Sequence, residues 1–128
     1  MIYLKKYCAI ISLIYDIVCF AVPGQVQDFS LKPGSQNISV NWKKPISNSY
    51  CVTQYVIYWL NTLNGSNESI VVPSTENSSV IEPLDACFKY EVSLRAENEI
   101  NESMEAVTNN TITETVGNYH AQIILLYL

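Results

Sequence analysis

The sequence predicts an all-β protein, a seven-stranded antiparallel β-sandwich, and three observations carry that prediction. From Tyr90 the apolar residues fall at every second position, Tyr90, Val92, Leu94 and Ala96, while Glu91, Ser93, Arg95 and Glu97 take the other face, which is the period of a half-buried strand. Short runs of this kind recur between turn-forming clusters every eight to twelve residues, the rhythm of a sandwich. Between Val22 and Thr115 no stretch holds apolar residues at three-and-four spacing for three turns, so no long helix is expected.

The first 21 residues read as a targeting segment. Lys5 and Lys6 precede an apolar run from Tyr7 to Phe20, and Cys19-Phe-Ala21 offers a small-x-small cleavage site. As a membrane anchor the run is shorter than the roughly 20 residues a spanning helix needs, and Asp16 interrupts it. Removal after Ala21 leaves a domain over residues 22–115, matching a sandwich of about 100 residues with a working core, and a tail over residues 116–128. It also removes Cys8 and Cys19, so the mature chain keeps Cys51 and Cys87 in an oxidising compartment. Five basic and eleven acidic residues remain. That balance favours solubility and argues against nucleic acid, which calls for a clustered basic face.

After the stiff Val22-Pro-Gly24, the irregular spacing of Val26, Phe29 and Leu31 suits a broken edge strand. Lys32-Pro-Gly-Ser35 is a turn. Ile38, Val40 and Trp42 then alternate with Asn37, Ser39 and Asn41, and Pro45 stops the strand because it cannot donate to a ladder. Trp42 is expected to be the largest buried anchor. A polar loop from Ile46 to Val52 leads to Tyr55, Ile57 and Trp59, a third alternating strand of aromatic and β-branched residues. Asn61 to Ser69, with its Asn-Gly-Ser, reads as a loop, Ile70-Val-Val72 as a short strand ended by Pro73, and Ser78 to Ile81 as another. Leu84 to Asn98 follows, then a turn over Glu99 to Glu102 and a last strand around Met104 to Thr113. Leu84 lies six residues before Tyr90, the spacing of a tyrosine corner, in which the phenol oxygen bonds backbone a few residues upstream.

Taken in order, these segments resemble a fibronectin type III domain from Pro23 to about Thr115. The resemblance rests on Pro23, Ile38-x-Val-x-Trp42 with Lys43-Lys-Pro45 after it, Tyr55-x-Ile-x-Trp59, and Leu84-x5-Tyr90-x-Val-x-Leu-x-Ala96-x-Asn98, with Ser103 five residues further on. It implies an immunoglobulin-like sandwich of three strands on four, with Trp42, Tyr55, Ile57, Leu84, Tyr90, Val92 and Leu94 in the core. It also gathers Lys43 to Thr53, Pro73 to Ser78 and Asn98 to Ser103 at one pole, where the family often binds partners. Two positions depart from the family pattern. Asp85-Ala-Cys87 stands where a proline and a glycine are usual, and Asn101 stands where a glycine is usual, although Asn tolerates positive φ better than most residues. Arg-Gly-Asp is absent, so integrin binding of that type is not supported.

Two thiols in a secreted chain usually pair. Under this topology, however, Cys51 and Cys87 fall at opposite poles about 20 Å or more apart, while a disulfide needs Cα atoms within roughly 7 Å. Pairing between them, pairing with another chain, and free thiols stay open. Asn-x-Ser/Thr occurs at Asn37, Asn64, Asn67, Asn77, Asn101 and Asn109, candidate glycosylation sites of a secreted protein, with Asn64, Asn67, Asn77 and Asn101 in predicted loops.

Catalytic chemistry finds no footing. The one histidine, His120, lies beyond the domain, so a nucleophile has no base. Glu97 and Glu99 read as a solvated acidic face, and there is no glycine-rich phosphate loop. Neither a cofactor, a metal nor a small-molecule substrate is expected. The residues from Ala121 to Leu128 turn apolar but are too few to span a bilayer. The expected function is a secreted, glycosylated module that binds another extracellular protein. The alternative is the first module, or a fragment, of a larger cell-surface receptor or adhesion protein, the one case in which membrane association is expected.

Overall fold

Alternation decides the central strand. Tyr55, Ile57 and Trp59 turn inward from β3, Gln54–Asn61, leaving Tyr58 to solvent, and every residue from Gln54 to Leu60 is matched on both sides. The computed structural model describes residues 19–116. Within them β1 is Gln27–Pro33, β2 Ile38–Lys43, β4 Asn67–Pro73, β5 Ser78–Ile81, β6 Lys89–Glu97 and β7 Val107–Ile112. One sheet runs β1-β2-β5 and the other β4-β3-β6-β7, with antiparallel pairing throughout. This is the three-on-four sandwich that the sequence implies.

The interior lies between the two inner faces. Ile38, Val40, Trp42 and Ile81 from one sheet meet Tyr55, Ile57, Trp59, Val72, Tyr90, Val92, Leu94 and Ala96 from the other, and Leu84 closes one end. Each large side chain buried there contributes about 1.5–3 kcal/mol of transfer free energy. Trp42 and Tyr55 meet edge to face, with ring centroids 5.2 Å apart, the geometry aromatic quadrupoles favour.

Several element boundaries differ from expectation, each for a local reason. The irregular spacing around Val26 and Phe29 is a bulge: the β1–β2 register shifts between Gln27 and Ser30, and Asp28 sits at φ 50°. β4 begins at Asn67, inside the stretch read as loop, because Asn67, Glu68 and Ser69 pair with Leu60, Trp59 and Tyr58. Polar, exposed residues on an edge strand give no alternation to read. At the other end of the chain β7 starts at Val107, leaving Met104 outside the ladder, and β6 starts at Lys89, its approach from Leu84 being a corner. The loop after β2 holds one 3-10 turn, Ser49–Cys51, which buries Cys51.

Candidate functional site

The register of β3 against β6 pairs Gln54 with Glu97 and Asn61 with Tyr90, and so defines two poles. One is built on the segment from Cys19 to Gln25, the loop from Lys44 to Thr53 and the loop after Glu97. Two asparagine side chains bind these pieces. Asn48 Nδ2 donates to Val22 O at 2.8 Å, and the buried Asn98 donates from Nδ2 to Phe20 O at 3.0 Å while its Oδ1 accepts from Ile100 N and Glu102 N. Gly24 N donates to Ser47 O, and Pro23 is fully buried. The 73–78 turn joins the same pole through Trp42 N, which donates to Asn77 O.

This pole leaves large apolar side chains in water. Ile46 is 84% exposed, Tyr50 62%, Met104 53% and Ile100 52%. Ile46 and Met104 line a shallow groove together with Gly24, Gln25, Gln27 and Ser47. Glu99, Glu102 and Glu105 on the same loop as Ile100 and Met104 are exposed, which makes that loop acidic.

Glu97 corrects the expectation of a solvated acidic pair. It is 3% exposed, with Oε1 accepting from Arg95 Nε at 2.8 Å and Oε2 from Gln54 Nε2 at 2.7 Å. Glu99, on the turn, is exposed. The turn after β6 returns over the strand end and excludes water from the first glutamate but not the second.

At the opposite pole the tyrosine corner has the expected form. Tyr90 Oη accepts from Asp85 N at 3.1 Å and from Asn61 Nδ2 at 3.4 Å. Asn61 is itself buried and accepts from Leu63 N and Asn64 N through Oδ1. Buried Thr113 donates to Asp85 O at 2.6 Å and accepts from Phe88 N. In the sequence Asn61 and Thr113 stand out only as segment ends and Asn98 only as a match to the family pattern. The available signal was positional, since each asparagine stands at the last residue of a strand or just past it, where its side chain can cap the backbone of the following turn.

Cys51 is buried at the first pole and Cys87 exposed at the second, and the antiparallel register keeps them apart. Cys19 lies beside the first, its Sγ 3.8 Å from Tyr50 O. Both departures from the family pattern carry positive φ, Cys87 at 63° and Asn101 at 58°, as the missing glycines require. Of the six sequons, Asn64, Asn67, Asn77, Asn101 and Asn109 are exposed and Asn37 is half-buried. Asn67 opens strand β4 and Asn109 lies within β7, so Asn67 is not in the loop assigned to it. Asn37 Oδ1 lies where a Cβ on Gly34 would be, which ties its side chain to the β1–β2 turn.

Two titrating groups are displaced. The Lys43 ammonium is held above its usual range by its hydrogen bond to Asp28, 2.7 Å away, and by that carboxylate's charge. Burial raises the Tyr55 phenol above 10.0, with Trp42 acting in the opposite sense. Among the described residues neither Tyr55 Oη nor Trp42 Nε1 has a hydrogen-bond partner, and no cluster of three or more His, Cys, Asp or Glu could hold a metal ion. His120 and Cys8 lie outside the described residues.

The fold and the two poles define an immunoglobulin-like β-sandwich module. The fibronectin type III domain model matches residues 24–111, and the chain belongs to that family, whose members are typically non-catalytic modules used in protein–protein binding and adhesion. Among solved structures it is similar to the fibronectin type III domain of the human collagen alpha-1(XX) chain, with 20% identity over 77% of this chain and 93% of that one and a TM-score of 0.63. It is also similar to a two-domain segment of chicken tenascin, with 22% identity over 69% and 48% and a TM-score of 0.61. A third similar structure holds the FN1–FN3 domains of chicken CNTN1, with 24% identity over 73% and 33% and a TM-score of 0.65. No curated protein matches the chain.

Proposed function

We propose that this chain is a secreted, glycosylated binding module that engages another extracellular protein through the pole carrying Ile46, Tyr50, Ile100 and Met104, and that it performs no catalysis. The observation that carries this reading is the exposure of those four side chains on the loops of one pole, with Ile46 and Met104 lining a groove there. A soluble module gains nothing by wetting them, and large exposed apolar patches mark interaction sites. The exposed Glu99, Glu102 and Glu105 on the loop that carries Ile100 and Met104 favour a partner with basic residues around an apolar anchor. The apolar run behind Lys5 and Lys6 supplies the route out of the cell, and its removal after Ala21 takes away the Phe20 carbonyl that Asn98 binds in the full chain, leaving the Asn48 bond to Val22 to hold the entry segment.

The test compares the wild-type chain with the double variant Ile46→Asp, Met104→Asp, both made in secretory cells and titrated onto cell surfaces. Truncating a central apolar contact costs about 2 kcal/mol or more, so binding is expected to weaken at least about tenfold with the circular dichroism spectrum unchanged. Equal binding by the two proteins refutes the choice of pole.

A second reading, a module or fragment of a larger cell-surface protein, draws support from the tenascin and CNTN1 structures, of whose chains this one covers 48% and 33%. Mass spectrometry of the secreted product separates the two. A soluble species running from near Val22 to Leu128 favours the free module, and retention or degradation in the cell favours the larger protein.

A further inference from the structure

Sheet edges are hazards, because an unpaired strand offers its backbone to another chain, and proteins protect them with charge, proline, bulges or brevity. Among the described residues four strands lie at edges: β1, β5, β4 and β7. Three of them carry such protection. β1 has Lys32, Pro33 and the bulge at Asp28, β4 has Glu68 and Pro73, and β5 is four residues long. β7 has none of these in its own sequence, although β1 packs alongside it. Its sequence Val107-Thr-Asn-Asn-Thr-Ile112 holds neither charge nor proline, pairs with β6 without a register shift, and is rich in β-formers. Yet the sequon Asn109-Asn-Thr111 sits in its middle, and Asn109 is exposed.

We propose that an N-linked glycan on Asn109 is the protection of this edge, a bulky hydrated group standing where another strand would have to approach. Asn110 N donates to Asn109 Oδ1 at 2.8 Å, which engages the side-chain oxygen and not the nitrogen through which a glycan is linked. In the transfer, Asn109 Nδ2 forms a bond to the anomeric carbon of an oligosaccharide carried on a lipid pyrophosphate. The carbon–oxygen bond to the pyrophosphate breaks, the amide gives up one proton, and the lipid pyrophosphate leaves. Asn110, the other asparagine of the strand, is followed by Thr-Ile and is no acceptor. The inference rests on the secretory reading above.

The test expresses the full chain in secretory cells, maps glycopeptides by mass spectrometry, and follows oligomeric state by light scattering over a concentration series. Asn109 is expected to carry sugar and the wild type to stay monomeric. Asn109→Gln and Thr111→Ala, which remove the sequon in different ways, are expected to associate increasingly with concentration while keeping the wild-type circular dichroism spectrum. Asn109→Lys, which puts a charge in place of the sugar, is expected to restore the monomer. Sugar on the other sequons with Asn109 bare overturns this proposal alone, and so does a monomeric Thr111→Ala protein. Absence of sugar at all six sequons overturns the secretory reading itself.

Discussion

Replacing Tyr55 and Tyr90 by phenylalanine, one at a time, removes the same atom from two rings of the same interior, and the expected changes in stability have opposite signs. Tyr90 Oη accepts from Asp85 N and Asn61 Nδ2. Its loss leaves two donors short of a partner, and each such loss in a buried setting costs about 1–3 kcal/mol. Tyr55 is fully buried and its Oη lies beside the Trp42 indole without a well-formed hydrogen bond among the described residues, so the native protein bears the desolvation of a hydroxyl with little compensation. Deleting that oxygen relieves about 1–3 kcal/mol, while the edge-to-face contact with Trp42, 5.2 Å between centroids, is kept by the phenylalanine ring. For a domain of this size 1 kcal/mol moves Tm by about 4–8 °C. Thermal and urea unfolding are the assays, with an unchanged m-value as the check that only stability has moved. A Tyr55→Phe protein less stable than wild type by about 1 kcal/mol or more refutes the reasoning, because it reveals a partner for that hydroxyl.

Three further outcomes are expected. Because burial holds the Tyr55 phenol above 10.0, the unfolded chain releases that proton first. The contribution is therefore complete below about pH 10 and lost as pH rises beyond it, and Tyr55→Phe should show a shallower alkaline fall in urea unfolding than wild type. Trp42→Ala should cost about 3–5 kcal/mol, comparable to the whole stability of a small domain, and leave a chain without a cooperative thermal transition. Cys87→Gly, at φ 63°, should stabilise by about 1 kcal/mol, since a left-handed conformation costs an L-residue about that much more than glycine; a lower melting temperature would speak against the strain.

The residues that alternate were the legible ones. Ile38, Val40 and Trp42, Tyr55, Ile57 and Trp59, and Tyr90, Val92, Leu94 and Ala96 are all buried, and order and spacing among them sufficed for the sandwich because each strand has one wet face and one dry one. Asn67 to Ser69 escaped because their pairing is set by β3 across the sheet and not by their own polarity. Glu97 escaped for a related reason, since its burial depends on Gln54, Arg95 and a returning turn brought together only by folding. The apolar pole was the least accessible of all. Ile46, Tyr50, Ile100 and Met104 come from two loops of irregular pattern, and nothing in either segment tells that folding brings Ile46 and Met104 to one groove.

The two asparagine-bound segments at the first pole and the Glu114 N to Gly34 O bond at the second place the ends of the described chain at opposite extremities of the molecule. β1 leaves the first extremity and β7 arrives at the second, so tension applied to the two ends acts along the strands. Rungs loaded in that direction share the force and yield together, whereas rungs peeled from one end would give way in turn. Single-molecule extension is therefore expected to show one abrupt rupture, and a staircase of small steps would count against it. A unit of this kind joined end to end with others would behave as a stiff link in a tether.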